Sequence, residues 1–203
     1  MNDKKDELKA ALVDVRRAYR LLHAYHRRLQ DLLHTTHDFL INEGFQFEYW
    51  SPLNVARLPQ STKPFFGSHW GWDLTPGYQV QCIWRRTKDA SSHRIFVHSI
   101  ADTGYKTSAE GEPNPATFEA AETSRSEIRV GLYRTGTTEP DWGAAWNLLS
   151  VKPDRKNGDI HQVKVGRVEY AHRYFDVDLV ELSDERAVKE KLLEPIGTWI
   201  AGS

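Results

Sequence analysis

Between Met1 and Glu43 the chain contains neither glycine nor proline. Through that run Leu8, Leu12, Val15, Tyr19, Leu22, His26, Leu29, Leu33, Thr36 and Leu40 recur at alternate intervals of four and three. An α-helix returns to one line at this period, so the spacing predicts a single helix from Asp3 to Glu43. Its heptad seam departs from apolar only at His26 and Thr36. A second row, Ala11, Ala18, Tyr25, Leu32 and Phe39, follows at intervals of seven beside the seam. The apolar face is therefore wider than two-stranded pairing requires and suits a helix with more than one packing neighbour. Asn2 or Asp3 can cap the start, and Asp6 and Glu7 suit the positive end of the helix dipole. Gly44 is the expected stop. At 1.5 Å per residue such a helix is about 60 Å long, more than the width of a small domain. Part of it is expected to project, or to meet a second copy.

The remaining residues read as short strands. Phe45, Phe47 and Tyr49 alternate with polar residues, as a strand with one buried face does. Tyr78, Val80, Cys82 and Trp84 alternate with Gln79, Gln81 and Ile83. Lys88 to Ser92 turns the chain, and Arg94 to Ile100 returns it as an antiparallel hairpin. Ile128, Val130 and Leu132 mark the next strand. Asn157-Gly158 is a strong turn signal, with His161–Tyr170 and Tyr174–Leu182 as the last strands. Residues 103–125 read as a loop with one helical turn near Phe118 to Ala121, and 142–149 as a short helix. Ser183 is placed to cap a final helix with Asp184 and Glu185 in its first turn, and Pro195 to kink it. Strands and helices do not alternate regularly, so a parallel doubly wound sheet is excluded. The expected fold is α+β: a long N-terminal helix, a mainly antiparallel sheet of about five or six strands, and a C-terminal helix packed on it. Residues 1–44 form the helix and 45–203 the sheet domain, one structural unit together.

Composition narrows the function classes. The 203 residues carry a formal net charge of −1, so the molecule as a whole has no electrostatic preference for nucleic acid or membrane. No apolar run reaches transmembrane length and no signal-peptide core opens the chain. Cys82 is the single cysteine, which excludes an internal disulfide and fits a reducing, cytoplasmic setting.

Several constellations are candidates for chemistry. Arg16, Arg20 and Arg27, with His23 between them, make a basic stripe beside the seam, able to follow a phosphate backbone or pair with acids on a partner helix. Phe65, Phe66, His69, Trp70, Trp72 and Asp73 form an aromatic stretch that is a lid on the core or a recognition surface. His23 with His26, and His34 with His37, have a spacing that can bring two imidazoles to one metal, but neither pair has further ligands nearby, so no metal is expected. Asp176 and Asp178 share one strand face, read as the solvated outer face. Cys82 beside His93 or His98 would resemble a nucleophile and base. Its alternation with Val80 and Trp84 puts it on the apolar face instead, as an inert thiol. No serine elbow and no phosphate-binding glycine loop occurs.

The sequence therefore points to a protein-interaction or self-associating module that needs no cofactor and performs no catalysis. Its expected partner is a second copy in a homodimer, or another protein, through the N-terminal helix. Two other readings follow from the same residues. One is nucleic-acid binding through the Arg16–Arg28 stripe, and the other a hydrolase with a site near the aromatic stretch 65–73, around His69, Trp70 and Asp73.

Overall fold

The computed structural model describes residues 2–52, 78–88, 91–104, 117–138, 140–143 and 158–202. The chain separates into two compact units, Met1–Asp38 and Phe39–Ser203. Helix α1, Asn2–Asn42, runs unbroken as the heptad pattern requires. Its end is set by Gly44, whose φ of 82° is open to a residue without Cβ. The Gly44 N–H donates to the Ile41 carbonyl, and the Phe45 N–H reaches back to Leu40 at 2.9 Å. These two bonds are the pair of a Schellman stop, and buried Leu40 and Phe45 supply its apolar contact.

Six strands follow: β1 Gln46–Pro52, β2 Gln79–Lys88, β3 Ser91–Ile100, β4 Glu127–Thr135, β5 Ile160–Val165 and β6 Val168–Asp178. They form one sheet in the order β1-β2-β3-β4-β6-β5, with every neighbouring pair antiparallel. The hairpin expected from Tyr78 to Ile100 is β2–β3, paired from Gln79↔Ile100 to Lys88↔Ser91. Short polar connections cannot return a chain in parallel, and hairpins result.

The sheet is covered on one face by the C-terminal helices. Asp184, rather than Ser183, is the cap, accepting a hydrogen bond from the Ala187 N–H at 2.8 Å. The helix runs as α2, Glu185–Val188, a π-helical turn Lys189–Leu193, and α3, Glu194–Ala201. Pro195, expected as a kink, lies in the first turn of α3 and has no N–H to donate. The wider turn before it absorbs that lost bond. Val188, Leu192, Ile196, Trp199 and Ile200 are buried. Arg134 of β4 lies over the Trp199 ring and donates to the Gly202 carbonyl at 2.7 Å, which fixes the face the helices cover.

The opposite face is also buried in part. Ile83, Phe96, Tyr133 and Tyr170 form a second apolar cluster, with Trp142, Val163, Val165 and Val168 against it. Gly131 is part of this packing, because Phe96 on the paired strand occupies the space a Cβ would need.

Three local expectations are corrected. The β1 alternation does not bury one face: Phe45 is buried, but Phe47, Tyr49 and Trp50 are exposed. A register shift between Phe47 and Tyr49 breaks the period at this edge strand. The hairpin joining the last strands turns at Gly166-Arg167, where Gly166 has φ 60°, and β6 runs continuously through Tyr170 and Tyr174. Residues 144–157, Asn157 included, lie outside the described part. The helical turn expected near Phe118 is displaced to Ala120–Ser124, where the Thr123 and Ser124 N–H groups both donate to the Ala120 carbonyl. The short helix expected from Trp142 begins there, and its continuation lies outside the described residues.

Candidate functional site

The first half of α1 exposes its apolar seam. Leu8 is 60% exposed, Leu12 47%, Val15 48% and Tyr19 63%. Their four-three-four spacing puts all four on one stripe of the helix. Further along, Leu29, Leu32, Thr36 and Leu40 are buried. Thr36 satisfies its hydroxyl on the Leu32 carbonyl at 2.9 Å, which is how a polar residue is accommodated in the buried part of the seam.

The basic stripe is likewise exposed. Arg16, Arg20, His23 and Arg27 all lie in solvent, beside the seam. Arg17 on the neighbouring line is paired with Asp14 at 3.0 Å. Of the histidine pairs, His34 faces Asp38 at 3.5 Å in an exposed i,i+4 arrangement, and the Nε2 of His26 is buried without a hydrogen-bond partner among the described residues. Among the described residues no three His, Cys, Asp or Glu side chains are grouped to hold a metal ion. His69, Trp70, Trp72 and Asp73 lie outside the described residues.

On the sheet, Asp176 is not the solvated carboxylate the alternation suggests. Arg129 on β4 donates from Nε and Nη2 to its two oxygens, at 2.7 and 2.8 Å. The same Nη2 approaches Glu127 at 3.5 Å, and Arg125 donates to Glu127 at 3.2 Å. Glu127 has a side chain with 0% exposure, and the two arginines give this buried carboxylate its ion-pair partners. The neighbouring Gln79 and Gln81 are buried too, and Gln79 holds His98 at 3.2 Å. Asp178 instead accepts from the Val180 N–H at 3.1 Å and caps a short 3-10 turn, Leu179–Glu181. Each of these carboxylates is neutralised or capped within the sheet, an arrangement suited to holding strands in register rather than to proton transfer.

Sequence reading misses this network because Glu127, Arg129 and Asp176 alternate with apolar residues as a solvated face would. The one available signal is charge complementarity across a strand pair, which needs the β4–β6 register. Cys82, by contrast, stands where its alternation puts it. It is buried, and burial pushes its thiol up to about 11. A thiol so far from ionisation is a poor nucleophile.

With the geometry set out, comparison with known proteins adds a lineage. The PM0109 family matches residues 5–196, helix and sheet together. The chain belongs to the PM0109 family. A similar relative is the uncharacterized protein PM0109 of Pasteurella multocida (strain Pm70), 25% identical over 198 residues, covering 92% of this chain and 91% of that protein. No solved structure matches the chain. Among the described residues no helix is long and apolar enough to cross a membrane.

Proposed function

We propose that this chain is a non-catalytic cytoplasmic protein whose work is self-association, two copies joining through the first half of α1. The observation that carries the reading is the exposed stripe Leu8, Leu12, Val15 and Tyr19. Each such side chain gains roughly 1.5–3 kcal/mol on burial, and a second copy offers the same stripe with the same period. Symmetric dimers are the commonest oligomers, since one surface then satisfies both partners. The exposed arginines beside the seam would flank such an interface and meet acids such as Glu7 and Asp14 of the other copy.

Leu12→Asp puts a charge into the stripe at an exposed position. The expected result is a monomer by light scattering with an unchanged circular dichroism spectrum. Wild type and Leu12→Asp giving the same mass would overturn the reading. The arginine stripe supports a second reading, binding to a phosphate backbone, for which duplex binding that weakens steeply with salt is the expected signature.

A further inference from the structure

On the sheet face that carries the C-terminal helices, β3, β4, β6 and β5 bring one residue each into a single register row. These are His93, Arg134, Ala171 and Gln162. Side chains directly opposite one another share a face. Ala171, between two long neighbours, leaves that row short of volume, and Gly136, just past the end of β4, adds no side chain. An open cavity of about 610 Å³ lies at this end of the sheet, with Gly202 in its lining. A volume of this size suits a small metabolite.

The polar groups around the cavity are unevenly satisfied. His93 is 2% exposed, and neither ring nitrogen has a hydrogen-bond partner among the described residues. A neutral imidazole offers one donor and one acceptor, and leaving both unmade in a buried place is unfavourable. Arg134 spends one N–H on the Gly202 carbonyl. Arg167, on the β5–β6 turn, is exposed at the opening. Among the described residues of the lining, Glu169 is the one carboxylate, against two guanidinium groups. Positive charge therefore outweighs negative charge in this lining.

We propose that this cavity binds a small phosphomonoester carrying hydroxyl groups, with Arg134, Arg167 and His93 on the phosphate and Gln162 and Glu169 on the hydroxyls. Guanidinium groups match the tetrahedral oxygens of a phosphate with paired N–H donors. A bare carboxylic acid would leave Glu169 facing it without compensation, whereas a polyol gives that carboxylate donors. The site lies wholly within the sheet unit and does not depend on self-association.

The probes are ribose 5-phosphate, inorganic phosphate and ribose, titrated into the full chain while the His93 ring resonances are followed by NMR. Saturable movement of those resonances with ribose 5-phosphate is expected, a weaker response with phosphate, and none with ribose. Arg167 is exposed, so Arg167→Glu should fold as wild type and weaken ribose 5-phosphate by about tenfold or more. His93→Gln should weaken it as well. The proposal is overturned if ribose 5-phosphate leaves the His93 resonances unmoved at millimolar concentration. It is also overturned if Arg167→Glu binds as tightly as wild type, or if ribose alone moves the resonances as far.

Discussion

His93 is where a single residue makes the clearest thermodynamic statement. Its ring is buried, with Phe45 edge-on at 6.4 Å, and charged Arg86 and Arg134 stand on either side of it on β2 and β4. Burial first, and then those two guanidinium groups, lower its pKa from 6.5 to about 4. The folded value lies below the unfolded one, so between them the unfolded chain holds the extra proton. Stability from this residue is therefore complete above pH 6.5 and is lost as pH falls from 6.5 through about 4. A shift of this size corresponds to roughly 3 kcal/mol as an upper figure. Urea unfolding followed by circular dichroism at a series of pH values is expected to show that loss. His93→Leu should flatten the profile over the same window, and an unchanged slope in the variant would show that other groups set it.

At the scale of elements, the β4–β6 pair is held by charge as well as by backbone. Removing the guanidinium in Arg129→Ala leaves Asp176 and Glu127 short of their shared counter-charge. Stripping one partner from a buried ion pair typically costs about 3–5 kcal/mol, so Arg129→Ala should be among the most destabilising changes in the sheet. Replacing Gly131 with Ala forces a methyl into the Phe96 ring. Overpacking of this kind is worth about 1–3 kcal/mol, read as a lower denaturation midpoint. The elements legible in the sequence are those whose signal is local: the heptad run of α1, the Gly44 stop, and the polar turn between β2 and β3. The less legible ones depend on what lies across the sheet. Asn157-Gly158 is the stronger local turn signal, yet the β5–β6 hairpin closes at Gly166-Arg167, where Val165 and Val168 pair. Asp176 looks like a solvated residue until Arg129 is placed opposite it. Likewise, nothing local tells that His93, Arg134 and Gln162, far apart in the chain, share one cavity.

For the whole molecule, the chain divides into a helical unit, Met1–Asp38, and a sheet unit, Phe39–Ser203, and these carry different proposals. The helical unit presents an apolar stripe with the period of a coiled coil, and the sheet unit a cationic cavity with a buried imidazole, unpartnered among the described residues. The two are separable by experiment, since Leu12→Asp touches only the first and Arg167→Glu only the second. Self-association is the central claim, and the wild-type mass in solution tests it most directly. Sedimentation equilibrium across a range of micromolar concentrations is predicted to give twice the chain mass, falling toward one chain on dilution. A single-chain mass at every concentration, with the protein folded, would contradict it.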